Sequence, residues 1–353
     1  MATNNYNQLD IKPTFSIITS LRKKYELYFG DLFNHILNQT YTNYECIVIV
    51  DEDDICLPSL DDRFRVLKVE PQWLSTKRNI GIREAKGDYI IFCDADDYLD
   101  DSALSVFYEA IEENAPDIIF PRVTRDPNDL YNNKVDNYLY LNKDGVEDFF
   151  FSRYIYPFYK NDIYTKDGCW GRAYKRKMLI DNKIMFVEEP CRAEDAIFNN
   201  DVALKATSMV ITPSYFGYFW RKNDSSEMNN INSPFYSIYP FGENIKRQLH
   251  LCNEKYRKDS LKYVSYILKG QISTFYRAYV RKMIGRKSLF KSLDSFIPDE
   301  SYCKDSLLFL IKNTKSNYER IFYSKIYKGH YLQSILLFRY KLLLNKVKNY
   351  GKD

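Results

Sequence analysis

Three aspartates directly follow a short apolar segment near residue 93. Tyr89 to Cys93 reads YIIFC, which is typical of a strand covered on both faces in a parallel sheet. Asp94, Asp96 and Asp97 come at its carboxyl end, where open α/β sheets bind ligands. Carboxylates this close repel one another unless a cation or a hydrogen-bond donor offsets their charge. Because Mg²⁺ and Mn²⁺ take oxygen ligands and commonly share one or two carboxylates with a substrate phosphate, the pattern predicts a divalent metal site.

A second pair of acids, Glu194 and Asp195, precedes an apolar pattern that is typical of a helix. Acids at the start of a helix often only cap it and interact with its dipole. A positioned carboxylate can instead act as a general base, which a hydroxyl nucleophile needs because it must lose its proton as the new bond forms. Both interpretations stay open on the residues alone.

Short apolar segments alternate with helical patterns before residue 225. The predicted strands are 15–19, 45–50, 89–93 and 117–121, and the predicted helices are 26–38, 75–86 and 102–114. Strands separated by helices predict a mostly parallel, doubly wound sheet. Residues 125–145 are rich in Asn and Asp and are predicted to form an excursion or a loop.

The pattern becomes helical almost throughout after Pro234, most clearly at 245–257, 260–284 and 332–347. We therefore predict two domains, 1–225 and 226–353. The tail from Lys312 contains ten basic residues against only Glu319 and Asp353, which indicates a basic surface at this end of the chain.

Composition limits the class of protein. A chain of 353 residues can form one large domain or two of moderate size, and a net charge of +4 gives no bulk attraction to nucleic acid. The seven cysteines form no Cys-x-x-Cys pair, and the polar start MATNNYNQLDIKPT lacks the apolar core of a signal peptide. No apolar stretch approaches the ~18 residues of a membrane span. We expect a cytoplasmic protein that is at most peripherally attached to a membrane.

The segment KRNIGIREAKGDY at 77–89, followed by FCDADD at 92–97, resembles the core signature of the family 2 glycosyltransferases, which have the GT-A fold. The predicted strand at 15–19, the segment LNQTY at 37–41 and the segment 45–51 resemble the opening of the same family. These segments occur in the family's order over roughly the first hundred residues. The resemblance implies an α/β fold of the GT-A type, with 1–225 as the catalytic domain that binds a nucleotide sugar and 226–353 as a helical C-terminal subdomain.

The resemblance also implies which residues bind the donor. Thr19, Asp51 and Arg78 match family positions that face the nucleotide, and a guanidinium suits phosphate or base oxygens. Asp94 and Asp96 fill the Asp-x-Asp motif. By resemblance Asp96 is the direct ligand of Mn²⁺ or Mg²⁺, while Asp94 lies on the ribose side or joins the metal shell.

Four further residues match later segments of the family. Glu194 and Asp195 resemble its Glu-Asp motif, whose aspartate is the general base. Trp170 matches a Trp-Gly segment and could stack on the acceptor sugar, with core packing as the alternative. Arg221 precedes the segment that resembles the donor-covering loop and could neutralise the leaving diphosphate, with an ordinary surface position as the alternative.

The chain departs from the family pattern in two places. Ser20 to Tyr25 replaces a Pro-x-Tyr-Asn-like turn after the first strand, and Asp51 to Asp54 replaces Asp-Asp-Gly-Ser after the second. Neither change removes a carboxylate that the implied mechanism needs.

The implied function is transfer of a sugar, with inversion and with a metal ion, from a nucleotide sugar to a hydroxyl group. The resemblance also implies a UDP-sugar donor, which is the commonest kind in this family, and a glycan or lipid-linked acceptor in the synthesis of a bacterial surface polysaccharide. A sugar nucleotidyltransferase is an alternative, but it should have a glycine-rich loop that Ser20 to Tyr25 lacks. A non-catalytic protein that binds a glycan or nucleotide is another. No nucleic-acid motif accompanies the basic tail, so we expect no nucleic-acid partner.

The aromatic and basic tail suits a helix lying on an anionic membrane surface. Packing of helices against the catalytic domain, or a contact in a homodimer, would explain the same pattern. The sequence leaves these alternatives open.

Overall fold

A computed structural model describes most of the chain. The described residues are 12–131, 133–150, 168–188, 194–222, parts of 265–294, and 301–350. The helix predicted at 245–257 and the domain boundary predicted at 225/226 lie outside these residues. None of the helices in the described ranges is long and apolar enough to cross a membrane.

The first compact unit contains the described residues up to 222 and is built on one mixed sheet. Its strands are β1 (Phe15–Leu21), β2 (Tyr44–Val50), β3 (Phe64–Lys68), β4 (Tyr89–Phe92), β5 (Tyr98–Leu99), β6 (Ile118–Thr124), β7 (Leu139–Asn142), β8 (Ala173–Lys175) and β9 (Ser208–Phe219). They lie in the order β3-β2-β1-β4-β8-β6-β9-β5, and β7 also pairs with β9. The pairs among β3, β2, β1 and β4 are parallel, whereas β8 runs antiparallel to both of its neighbours.

Helices connect these strands. They are α1 (Glu26–Leu37), α2 (Leu74–Glu84), α3 (Ala103–Asn114), α4 (Lys143–Asp148), α5 (Arg176–Asp181) and α6 (Glu194–Lys205). The apolar faces of α1 and α3 pack on the central strands, and the core includes Phe29, Leu32, Leu104 and Phe107. The apolar segments that predicted strands are buried because helices and loops cover both faces of a parallel sheet.

The predicted fold class is confirmed, as an α/β sheet with helices at the C-terminal end. The predicted strands and helices before residue 125 all form, with ends that shift by up to three residues. Of the two alternatives for 125–145, an excursion or a loop, the loop was wrong in part, because this segment holds a short 3₁₀ helix (Pro127–Leu130), β7 and the start of α4. The Asn and Asp residues there cap these elements, since Asp126 and Asn142 accept hydrogen bonds from the backbone N–H groups of Asn128 and Gly145.

The parallel strands bring distant polar residues to one edge of the sheet. β1 pairs in register with β2 and with β4, so the carboxyl ends of all three strands lie side by side. Thr19 lies near the end of β1, Asp51 follows β2 and Asp94 closely follows β4. This edge is therefore where a ligand of the sheet would bind.

The second compact unit is helical in its described residues. Helical positions between 265 and 280 are followed by α7 (Arg286–Asp294), α8 (Ser301–Asn313), α9 (Asn317–Tyr327) and α10 (Tyr331–Tyr350). Their apolar side chains form a separate core that includes Ile272, Tyr276, Phe322, Ile326 and Ile335. A catalytic role for 1–225 and an accessory role for 226–353 stay predictions.

Gly87 allows the chain to pass close to the first residues of β1, and its substitution should destabilise the fold. A Cβ atom at Gly87 would lie 2.6 Å from the backbone nitrogen of Ser16 and 2.7 Å from the carbonyl carbon of Phe15. Because β1 is held on both sides, Gly87→Ala should lower the free energy of unfolding by about 1–3 kcal/mol, measured by urea denaturation.

Gly30→Ala is the matched control. Gly30 lies inside α1, and a Cβ there would meet no atom within 4 Å. Alanine is the better helix former by about 1 kcal/mol, so this variant should be as stable as the parent or more stable. Equal unfolding midpoints for the two variants would contradict the close approach at Gly87.

Candidate active site

Asp97 is a buried structural acid in the turn after β4. Its Oδ2 accepts a hydrogen bond from the Tyr218 hydroxyl at 2.8 Å, and its Oδ1 accepts one from the backbone N–H of Arg221 at 2.8 Å. Burial raises the pKa of Asp97 well above its usual range, and the charges of Asp94 and Asp96 raise it further. Asp97 thus ties the turn to the end of β9.

Asp94 and Asp96 are partly exposed in the same turn. Oδ1 of Asp94 accepts a hydrogen bond from Nη2 of Arg78 at 2.8 Å. Burial raises the pKa of Asp94, the positive charge of Arg78 lowers it, and the charges of Asp195 and Asp96 raise it again, so that its pKa is raised overall. The pKa of Asp94 is therefore raised mainly by burial, against the effect of the Arg78 charge.

Arg78 connects the two acidic centres that the sequence separates. It comes from α2 and is only 4% exposed. While Nη2 donates to Asp94, Nη1 donates to Oδ1 of Asp195 at 2.5 Å, across 117 positions of sequence. Burial disfavours the charge on Arg78, but the carboxylates of Asp195 and Asp94 raise its pKa well above the ordinary value. The Asp-x-Asp turn and the start of α6 thus meet at one guanidinium.

A polar network fixes α6, and with it Asp195. Asn199 lies one turn after Asp195 and donates from Nδ2 to the carbonyl oxygen of Gly168 at 3.3 Å. The Tyr174 hydroxyl lies 2.8 Å from Oδ1 of Asn199 and 3.1 Å from the carbonyl oxygen of Cys169. The backbone N–H of Cys169 in turn donates to Oδ2 of Asp195 at 3.4 Å. Both oxygens of Asp195 therefore accept hydrogen bonds, which fixes the orientation of the carboxylate.

Glu194 differs from its neighbour in its surroundings. Burial raises the pKa of Glu194 to about 7, the charge of Asp195 also raises it, and the charge of Arg78 lowers it. In this pair, Glu194 thus has a raised pKa, whereas the carboxylate of Asp195 accepts hydrogen bonds from two donors. Both residues lie in the first turn of α6, where the positive end of the helix dipole favours a negative charge.

Asp51 forms a buried ion pair that the sequence analysis missed. Its Oδ1 lies 2.9 Å from Nζ of Lys77, and the two side chains are 4% and 1% exposed. Its Oδ2 accepts a hydrogen bond from the backbone N–H of Gln72 at 3.2 Å. Burial lowers the pKa of Lys77, while Asp51 raises it. The sequence could have indicated this pair, because Lys77 directly precedes Arg78. Two neighbouring basic residues on one helix can reach carboxylates at the ends of two strands, here Asp51 after β2 and Asp94 after β4.

Thr19 is buried in β1 at 1% exposure. Its hydroxyl oxygen has no hydrogen-bond partner among the described residues. The contact with a nucleotide that was expected for Thr19 and Asp51 stays a prediction.

The two departures from the family pattern contact each other. A 3₁₀ helix at Lys23–Tyr25 follows β1, and the backbone N–H of Lys23 donates to Oε2 of Glu52 at 2.5 Å. Nζ of Lys23 lies 2.9 Å from Oε2 of Glu26. The altered segments after β1 and β2 therefore support one another at the carboxyl edge of the sheet.

Trp170 packs in an aromatic cluster. Its ring stacks on Tyr218 at a centroid distance of 4.9 Å and lies 5.7 Å from the ring of Trp220. Gly171 has φ +69° and approaches Tyr218 so closely that a Cβ would lie 2.6 Å from Cγ of its ring. With Trp170 only 7% exposed, the structure favours core packing, and stacking on an acceptor sugar stays a prediction.

Arg221 is held beside the Asp-x-Asp turn. In addition to its backbone bond to Asp97, its Nε donates to the carbonyl oxygen of Asp96 at 2.9 Å and its Nη2 to Oδ2 of Asp31 in α1 at 2.8 Å. These bonds place a positive charge near the candidate metal ligand and join the turn to α1. Neutralisation of a leaving diphosphate by Arg221 stays a prediction.

The donor set at the turn fits a hard divalent cation that is completed by substrate oxygens. Among the described residues, no group of three or more His, Cys, Asp or Glu side chains could hold a metal ion by itself. Asp94 and Asp96 supply carboxylate oxygens from one turn, and both side chains are partly exposed. Mg²⁺ and Mn²⁺ are commonly bound by one or two carboxylates together with substrate phosphates, so the two acids are sufficient.

Comparison with known proteins agrees with this geometry. Residues 16–181 match the model of glycosyl transferase family 2. The chain is 24% identical over 295 residues to the cholesterol galactosyltransferase of Borreliella burgdorferi, covering 76% of this chain and 81% of that protein. It is 25% identical over 210 residues to the poly(ribitol-phosphate) beta-glucosyltransferase of Bacillus spizizenii, covering 60% of this chain but only 28% of that protein.

A solved structure shares the fold. The crystal structure of Staphylococcus aureus TarS 1–349 in complex with UDP-GlcNAc superposes with a TM-score of 0.59 at 16% identity, covering 92% of this chain and 89% of that one. The matched family model includes α2 and the Asp-x-Asp turn, and the superposition extends beyond them. The chain is therefore a glycosyltransferase whose family 2 domain covers residues 16–181.

Proposed function

We propose that this protein transfers a sugar from a UDP-sugar to a hydroxyl group of a glycan or lipid-linked acceptor, with inversion at the anomeric carbon and with the help of Mn²⁺ or Mg²⁺. The observation that supports this most strongly is the bridge from Asp94 through Arg78 to Asp195. It brings the proposed donor site and the proposed base to one place, as a single in-line displacement requires.

Asp195 is the proposed general base. It takes the proton of the acceptor hydroxyl as the oxygen of that hydroxyl attacks the anomeric carbon, and the bond from that carbon to the diphosphate oxygen breaks. The hydrogen bonds from Arg78 and from the N–H of Cys169 hold its carboxylate in a fixed orientation before the proton arrives. No second catalytic acid is needed, because the departing nucleoside diphosphate is a weak base.

Asp96, together with Asp94, would hold the metal ion. When bound, the ion supplies positive charge to the diphosphate of the donor. Arg221 adds a fixed guanidinium next to Asp96, since its Nε is bonded to the carbonyl oxygen of that residue. Asp51 and Thr19, at the ends of β2 and β1, are the proposed contacts of the nucleotide base.

The comparisons support the choice of substrates. TarS 1–349 was crystallised with UDP-GlcNAc, which favours a UDP-sugar donor here. Poly(ribitol-phosphate) and cholesterol appear as acceptors in the names of the two similar enzymes, which supports a cell-surface glycan or lipid-linked acceptor. A cytoplasmic location, where such donors would be met, stays part of the proposal. The sugar nucleotidyltransferase and the non-catalytic protein are disfavoured by the family of the domain.

Asp195→Asn should lower the rate of sugar transfer by about 10²–10⁴, the usual contribution of a positioned base. The amide keeps the shape of the side chain but cannot take the proton, so the affinity for UDP in calorimetry should change little. Asp181→Asn is the control, since Asp181 forms an exposed ion pair with Lys177. Transfer by Asp195→Asn at the parent rate, with an authentic donor and acceptor, would show that Asp195 is not the base.

Arg78→Lys should lower kcat by about 10²-fold, because an ammonium cannot donate to both carboxylates in the fixed geometry of a guanidinium. Arg83→Lys is the matched control on the same helix, since Arg83 is 51% exposed and lies 3.8 Å from Glu188. Equal effects of the two substitutions on kcat would remove the bridge from the mechanism.

Arg78→Gln should shift the pH dependence of metal-supported UDP binding. The charge of Arg78 lowers the pKa of Asp94, so its removal raises that pKa. A carboxylate must be ionised to hold a cation, and the acid limb of binding should therefore move to higher pH. Calorimetry from pH 5 to pH 8 measures the shift, and an unchanged or lower midpoint would be inconsistent with the role given to Asp94.

Asp96→Asn should abolish the effect of Mn²⁺ on UDP binding. In the parent protein, Mn²⁺ should tighten UDP binding at least about tenfold, and EDTA should reverse this. The control Asp181→Asn changes a carboxylate in an exposed ion pair with Lys177 and should respond to Mn²⁺ as the parent does. The assignment of Asp96 fails if the Asp96→Asn protein responds to Mn²⁺ as the parent does.

A further inference from the structure

Helix α10 exposes an apolar stripe on the side opposite its buried face. Leu332, Leu336, Tyr340 and Leu343 are between 56% and 67% exposed. They follow one another at steps of four, four and three residues, which places them along a single face of the helix. We call these four residues the α10 stripe.

The other face of α10 already packs in the core of the helical unit. Tyr331, Ser334 and Ile335 are buried there, and the hydroxyl of Ser334 pairs with that of Tyr276. Phe338 continues this face, with its ring 5.2 Å from that of Tyr276. The α10 stripe is therefore not needed to hold the helix in place, and three leucines and a tyrosine in one row are more than scattered surface residues.

The segment of sequence that contains the stripe is basic. From Arg320 to Lys352 the sequence contains eight basic residues and no acidic one. Arg339 lies beside the stripe, with its guanidinium over the ring of Tyr279. Apolar residues with a basic border are what a helix needs to bury one face among acyl chains while cations meet anionic headgroups.

We propose that the α10 stripe binds the surface of a bilayer that contains anionic lipids, and that it attaches the protein peripherally. A symmetric contact with a second copy of the chain is disfavoured, because it would bring the basic border of one helix against that of the other. The stripe from Leu332 to Leu343 spans about 17 Å of helix, at a rise of about 1.5 Å per residue, so it can lie flat in the interface but cannot cross the bilayer.

The test is sedimentation of the full chain with vesicles. The unaltered protein should bind vesicles of equal parts phosphatidylglycerol and phosphatidylcholine, should bind pure phosphatidylcholine weakly, and should be released as salt is raised. Leu336→Glu with Leu343→Glu should weaken binding to the anionic vesicles by at least about tenfold, because two apolar anchors are lost and two repelling charges are gained.

The matched control is Leu27→Glu with Tyr131→Glu, which removes two residues that are 91% and 81% exposed in the other unit and adds the same charge. It should bind vesicles as the parent does. Because both double variants change exposed residues, circular dichroism and the affinity for UDP should match the parent in each. Those two readouts separate a lost surface contact from misfolding.

Three results would overturn the proposal. The unaltered chain could fail to sediment with anionic vesicles, or both double variants could sediment equally well. Light scattering without lipid could also show an oligomer that only Leu336→Glu with Leu343→Glu dissociates, which would assign the α10 stripe to a contact between copies of the chain.

Discussion

The buried guanidinium of Arg78 is the interaction on which the proposed site depends. A cation that is 4% exposed is tolerated only because Asp94 and Asp195 accept hydrogen bonds from its two terminal nitrogens. Arg78 and its two carboxylates depend on one another. Removing one partner of a buried ion pair lowers the free energy of unfolding by about 3–5 kcal/mol, because the remaining charge is left buried without a partner. The end of β4 sets the position of Asp94, and the hydrogen bonds of Asn199 and Tyr174 that fix α6 set the position of Asp195. The geometry of the site is thus set by how α2 and α6 pack on the sheet.

Strands β1, β2 and β4 of the parallel half were predictable because each is a nearly continuous apolar segment. The remaining strands were harder to recognise for physical reasons. β3, FRVLK, is an edge strand whose Arg65 and Lys68 interrupt the apolar pattern. β9 contains Pro213 and Gly217, which are depleted in strands, and it pairs with β6 through a shift of register at Pro121. Such irregularities are set by tertiary packing, which a local pattern does not record.

The residue types of the site were also visible in the sequence, but their partners were not. The acids after β4 and at the start of α6 each stood out by spacing, and the family signature indicated Arg78. That Arg78 joins these acids across 117 positions follows only from the fold. The pair of Asp51 with Lys77 was likewise hidden, because both residues had functional or helical interpretations of their own. Local sequence shows which groups can do chemistry, and topology decides which of them meet.

A crystal structure of the chain with UDP and Mn²⁺ is the most direct test of the claim that the two acidic centres form one active site. We expect density for Mn²⁺ at the carboxylate of Asp96, with UDP bound at the same edge of the sheet and Arg78 still between Asp94 and Asp195. A complex in which UDP binds away from the carboxyl ends of β1 and β4, or in which Arg78 and Asp195 lie apart, would contradict it.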